Sequence, residues 1–161
     1  MADDKRSRDS ELAEAIGASG WTVAVAESLT SGKIAATLGA APAAGEWFRG
    51  GVVAYATEVK RRVLGMPDCS PVCAEAARAM AAGVRSMMRA DIAVAVTGVG
   101  GPDSQDGAKP GSVWLAIATP DGTRAVYEEF AGEPVDVVHR TVRRALELLH
   151  HDVTHSPPTS G

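Results

Sequence analysis

The sequence predicts an α/β fold, because short aliphatic runs of strand length alternate along it with amphipathic helical patterns. Two further observations refine that prediction. Pro120, Asp121 and Gly122 stand between two strand-like runs and mark a hairpin, so a mostly parallel sheet of about five strands becomes a mixed one. Alanine is abundant and aromatic side chains make up only 4% of the chain, which suits helices packed close on both faces of a thin sheet.

Taken in order, residues 10–18 read as a helix, with Leu12 and Ile16 one turn apart and Gly20 to stop it. Residues 21–26 are a β-branched and alanine run, hence a buried strand. Residues 31–38 form a small helix, and 40–45, with Pro42, a loop. The second strand is expected over 51–55 and a short charged helix over 57–64. Between positions 73 and 89, Ala76, Met80, Val84, Met87 and Met88 recur with helical period and make one apolar face. Residues 91–96 are the third strand. The stretch 98–111 holds too much Gly, Pro, Asp and Ser for regular structure. Residues 113–119 and 124–130 are the hairpin strands, and 134–150 the last helix, with Val138, Val142, Ala145, Leu146 and Leu149 towards the core. A single domain therefore spans 10–152. The charged segment 1–9 and the polar segment 153–161, with Pro157 and Pro158, are expected to be disordered.

Composition removes several functional classes. The chain of 161 residues has a net charge of −4 and no basic surplus, which argues against nucleic acid as a partner. It has no run of 18 apolar residues and begins with charged residues, so neither a membrane span nor a secretory signal is predicted and a cytoplasmic protein is expected. Cys69 and Cys73 flank a proline, with no second pair and no nearby histidine to complete a zinc site, and read as free thiols. His139, His150, His151 and His155 cluster late. His151 and His155 have the spacing of a ligand pair but lack a third ligand, and histidines near a helix C-terminus are explained by its dipole. No metal is predicted.

In open α/β sheets, ligands bind where the carboxyl ends of the strands meet their loops. Here those ends carry Ser28, Thr30, Ser31 and Gly32; then Tyr55 and Thr57 with Lys60 a turn further; then Thr97, Gly98 and Gly101. Each has an ordinary explanation. Any one of Ser28, Thr30 and Ser31 serves as a helix N-cap, although three hydroxyls in four residues exceed the need of one cap. Lys60 begins Lys60-Arg61-Arg62, a pattern normal for a solvated face, and Tyr55 fits an ordinary strand position. The glycine loop is neither a dinucleotide fingerprint, since Asp103 replaces the third glycine, nor part of a P-loop, but Gly98, Gly100 and Gly101 let a ligand approach the backbone closely.

Four blocks in order, Ala26-Glu27-Ser28-Leu29-Thr30-Ser31-Gly32, the run from Gly50 to Lys60, Val96-Thr97-Gly98-Val99-Gly100-Gly101-Pro102-Asp103 and Lys109-Pro110-Gly111-Ser112-Val113-Trp114, resemble the CinA C-terminal-domain family. The resemblance covers roughly residues 10–150. It implies a three-layer α/β/α sandwich and an amidase that deamidates nicotinamide mononucleotide to nicotinate mononucleotide and ammonia, without metal or organic cofactor. The family's serine and lysine fall on Ser28 and Lys60, as nucleophile and general base. Tyr55 is then expected to relay a proton or orient Lys60. Amides at the start of the following helix are expected to hold the oxyanion, and Thr30, Ser31, Gly32, Thr57, Thr97, Gly98, Gly101 and Lys109 the nucleotide. Pro134 and Val138 stand where many members carry arginines, which implies a weaker grip on a substrate phosphate. The alternatives are a non-catalytic nucleotide-binding or regulatory module, and an amidase of another small amide. A homodimer is expected of so small a domain.

Overall fold

The computed structural model describes residues 2–155. The described elements follow the order α1 (Ala2–Ser19), β1 (Val23–Glu27), α2 (Lys33–Gly39), α3 (Ala44–Trp47), β2 (Phe48–Val53), α4 (Thr57–Leu64), α5 (Ala74–Met88), β3 (Ile92–Gly98), β4 (Ser112–Thr119), β5 (Gly122–Glu129) and α6 (Pro134–His155). One five-stranded sheet has the order β2-β1-β3-β4-β5. β1 is parallel to both β2 and β3, while β4 is antiparallel to β3 and to β5. Only β4 runs against the others, so the sheet is mixed.

Alternation along each strand divides the side chains by size as well as by face. Val23, Val25, Ile92, Val94, Val96, Val113, Leu115 and Ile117 lie in one core with residues of α1, α2, α3 and α6. Ala24, Ala26, Ala93, Ala95, Ala116 and Ala118 lie in the other, with Leu64 at the end of α4 and Ala77, Met80, Ala81 and Val84 of α5. The expected three layers are present, with bulky side chains beneath four helices and small ones beneath two. Because both faces are covered, the central strands read as continuous apolar runs with no polar alternation. Close packing on the alanine side is enforced by Gly83, where a Cβ would collide with the Leu64 carbonyl.

Several boundaries differ from expectation. Residues 2–9, expected to be disordered, form the first half of α1, although residues 2–8 are exposed and contribute nothing to the core. The expected loop 40–45 ends in a single helical turn, α3, which buries Trp47. The second strand starts three residues earlier, at Phe48. On α5, Ala76, Met80 and Val84 are buried as expected, but Met87 is exposed, because the helix ends at Met88 and Arg89 turns left-handed. On α6 the buried positions are Val137, Thr141, Ala145, Leu148, Leu149, Asp152 and Val153. The expected core position Val138 is rotated to the rim of that face. The helix also runs five residues further than expected, and Asp152 pairs with Arg124 of β5. Residues 153–155 of the segment expected to be disordered therefore belong to α6, and 156–161 lie outside the described residues.

Candidate active site

A cavity of about 400 Å³ opens at the carboxyl ends of β1, β2 and β3. Its walls come from Ser28 and Leu29 after β1, from Tyr55 to Lys60 across the start of α4, from Pro71 and Val72 ahead of α5, from Thr97 and the glycine loop, and from Pro134 and Val138 of α6. The parallel arrangement of β2, β1 and β3 brings these loops to one edge, as doubly wound sheets do.

Ser28 is 6% exposed, and its hydroxyl has no hydrogen-bond partner among the described residues. It does not cap α2. That helix begins at Lys33, behind Gly32 in the left-handed region (φ 99°), and no side chain of the N-cap residue bonds to it. Glu27 supplies the cap from outside. Its carboxylate is fully buried and accepts the Ile34 N–H at 2.9 Å and the Ala35 N–H at 3.0 Å. A buried carboxylate is tolerable at that place because two helix amides and the positive end of the helix dipole face it. This corrects two expectations. Ser31 is not in the helix but in a left-handed turn (φ 50°), and two amides at the helix start expected to receive an oxyanion are already occupied by Glu27. The N–H groups of Leu29 and Thr30 have no acceptor among the described residues and lie next to Ser28 in the chain.

Lys60 is only 4% exposed although Arg61 and Arg62 follow it. Its Nζ donates to the main-chain carbonyl of Tyr55 at 2.8 Å, and among the described residues no carboxylate forms an ion pair with it. Burial lowers the Lys60 pKa from its ordinary value of 10.5, while the Asp106 carboxylate pulls it part of the way back. The Tyr55 side chain itself is 70% exposed at the cavity mouth, so the residue orients Lys60 through its backbone.

Of the remaining candidates, Thr57, Thr97, Gly98 and Gly101 line the cavity, whereas Thr30, Ser31, Gly32 and Lys109 do not. Thr97 spends its hydroxyl on the Pro71 carbonyl at 2.5 Å, which fixes a wall more than it offers a donor. Thr30 is wholly buried with an unpartnered hydroxyl. Lys109 pairs with Glu129 at 3.0 Å on the surface. Sequence reasoning missed the structural duty of Glu27, whose signal was an acid ending an apolar strand. It also missed Asp106, which only the return of the loop brings opposite Lys60. Asp103 and Asp106 give the cavity two carboxylates, and Lys60 is its only lysine or arginine among the described residues. Among the same residues no group of three or more His, Cys, Asp or Glu is placed to share a metal ion, and no helix is long and apolar enough to cross a membrane.

The sequence matches the CinA C-terminal domain over residues 5–153. The chain belongs to that family. A CinA-like protein of Geobacter sp. (strain M21) is 40% identical over 167 residues, covering 100% of this chain and 40% of the relative. A CinA-like protein of Frankia casuarinae is 41% identical over 133 residues, covering 80% of this chain and 31% of the relative. The chain thus spans two fifths or less of these longer CinA-like proteins. Over a chain of similar extent, the crystal structure of a competence-damaged protein (CinA) superfamily protein from Klebsiella pneumoniae 700603 superposes with a TM-score of 0.89 at 31% identity, covering 94% of this chain and 98% of that one. A second Klebsiella pneumoniae structure, competence damage-inducible protein A, matches with a TM-score of 0.89 at 34% identity. The Ser28 and Lys60 cavity is therefore a feature of a CinA C-terminal domain.

Proposed function

We propose that this CinA C-terminal domain is an amidase that hydrolyses the carboxamide of nicotinamide mononucleotide to nicotinate mononucleotide and ammonia. The observation that carries this reading is one cavity shared by a serine hydroxyl and a buried lysine that have, among the described residues, no hydrogen-bond partner and no ion pair respectively. A solvated lysine is charged at neutral pH and cannot accept a proton. A lysine whose burial favours the neutral amine can, and a serine hydroxyl needs such a base to become nucleophilic.

In this scheme Lys60 takes the Ser28 proton as Oγ attacks the carboxamide carbon. The oxyanion draws on the unoccupied amides of Leu29 and Thr30. The Lys60 ammonium gives its proton to the amide nitrogen as collapse of the adduct breaks the C–N bond, so the nitrogen leaves as ammonia. Water, deprotonated by the same lysine, then releases the acid from Ser28. The two carboxylates of Asp103 and Asp106 suit a substrate whose pyridinium ring is cationic.

One observation favours a second reading, a nucleotide-binding module without turnover, because Lys60 Nζ gives a hydrogen bond to the Tyr55 carbonyl. Ammonia release from nicotinamide mononucleotide, measured beside calorimetric binding of the same compound, separates the two. The amidase reading expects stoichiometric ammonia and nicotinate mononucleotide, and binding without ammonia overturns it.

A further inference from the structure

Cys69 and Cys73 take no part in the chemistry above, yet they bracket a piece of the cavity wall. Cys69 lies in the loop that leaves α4, next to Asp68, which pairs with Arg61 at 3.1 Å on the surface. Cys73 is the N-cap of α5, where its Sγ accepts the Ala76 N–H at 3.3 Å and contacts the Ser70 carbonyl at 3.2 Å. The two sulfurs are 3.7 Å apart, and both residues are partly exposed. Between them Pro71 and Val72 line the cavity, and the Pro71 carbonyl accepts the Thr97 hydroxyl. The five-residue segment is thus tied to the end of β3 on one side and to the start of α5 on the other.

We propose that Cys69 and Cys73 form a reversible disulfide that shifts the wall made by Pro71 and Val72. A disulfide bond of ~2.05 Å requires the sulfurs to approach by about 1.6 Å. Cys73 is held by the helix, so what side-chain rotation does not supply falls to Cys69 and the residues between, and those residues are the wall. The reaction needs only a low-molecular-weight disulfide as oxidant. The Cys73 thiolate attacks one of its sulfurs, forms a mixed disulfide and expels a thiolate. Cys69 then loses its proton and attacks the Cys73 sulfur, which releases the second small thiol. Two electrons pass from the cysteine pair to the oxidant, which leaves as two thiols. Cys73 begins the exchange because its sulfur stands at the N-terminus of α5, facing the Ala76 N–H, where a thiolate is favoured, and Cys69, whose thiol burial pushes up, closes it.

The test is to equilibrate the reduced chain with glutathione buffers of increasing oxidised fraction and to count thiols, weigh the protein and record amide NMR spectra. Both thiols should disappear together, the chain should be lighter by two hydrogens without retained glutathione, and dithiothreitol should reverse the change. The amides of Thr97 and Gly98 should shift with it. Cys69→Ser and Cys73→Ser should each stop at a glutathione adduct. Retained glutathione on the parent, a disulfide-linked pair of chains, or shifts confined to residues 69–73 overturns the proposal. A severalfold change in KM on oxidation, absent in Cys69→Ser, is expected on the amidase reading of the cavity. Absence of ammonia release in both redox states counts against that reading alone, because the thiol count and the amide shifts do not depend on turnover.

Discussion

The Ser28 hydroxyl caps no helix and has no hydrogen-bond partner among the described residues, so it is dispensable to the fold. Ser28→Ala should leave Tm within about 2 °C of the parent while ammonia release falls by about 10³-fold or more; equal release from both proteins removes Ser28 from the mechanism. Lys60 behaves in the opposite way. Its folded-state pKa lies below the ordinary 10.5 because burial penalises the charged amine, so the unfolded chain holds its proton more readily across the interval between the two values. Stability therefore rises with pH through that interval, and the cost of burying the charge is felt below it. Lys60→Met should raise Tm at pH 7, by roughly 2–4 °C for about 1 kcal/mol gained, and abolish turnover. In the parent, kcat/KM should rise with pH through an apparent pKa below 10.5. Lys60→Arg should be inactive, and an active arginine variant assigns the lysine an electrostatic role instead. The acidic lining bears on specificity. With no lysine or arginine besides Lys60 lining the cavity among the described residues, a substrate phosphate lacks charge-assisted hydrogen bonds worth about 1.5–3 kcal/mol each. The ratio of kcat/KM for nicotinamide mononucleotide to that for nicotinamide riboside should stay below about a hundredfold and increase in Val138→Arg; a parent ratio above roughly a thousandfold shows that other residues grip the phosphate.

At the scale of elements, α2 shows how the turn that carries Ser28 is positioned by the carboxylate of Glu27. The chain leaves β1 at Glu27, makes its turn at Ser28 to Gly32, and is then held by the Glu27 carboxylate reaching two amides of α2. Glu27→Gln keeps the volume but replaces one acceptor oxygen with a donor facing an N–H. It should cost about 1–3 kcal/mol and reduce kcat together with stability; an unchanged Tm would mean that water satisfies the freed amide. α5 is positioned by the absence of a side chain. Gly83→Ala drives a methyl group into the Leu64 carbonyl and should destabilise by about 1–3 kcal/mol, read as a lower urea midpoint. The element boundaries that periodicity missed share a cause. α3 is a single turn, too short for a period to show, and the first half of α1 has no buried face to leave one.

Over the whole molecule, the sheet separates a bulky core from an alanine core and puts the site at the edge where β2, β1 and β3 end. The exposed start of α1 lies outside both cores, so removing residues 2–8 should change Tm by no more than about 2 °C and leave ammonia release intact; a larger fall would show that this turn of helix docks on its neighbours. α6 is bound to the sheet by Arg124 with Asp152 and by Arg144 with Glu128 at 2.9 Å, which keeps Pro134 and Val138 at the far wall of the cavity.

The sequence by itself determined the α/β class, the hairpin, the order of the elements other than α3, and the strand ends that converge on Ser28, Tyr55, Thr57, Lys60, Thr97, Gly98 and Gly101. Those features follow from local periodicity, turn chemistry and the rule that ligands sit at the carboxyl ends of parallel strands. The tertiary structure decided what no local pattern contains. It excluded Thr30, Ser31, Gly32 and Lys109 from the cavity and gave the capping of α2 to Glu27. Burying Lys60 beside the Tyr55 carbonyl lowered its pKa, although its neighbours Arg61 and Arg62 suggested a solvated face. A side chain's burial and partners depend on residues distant in the chain, and a charge inside a fold changes its chemistry through the solvent it has lost.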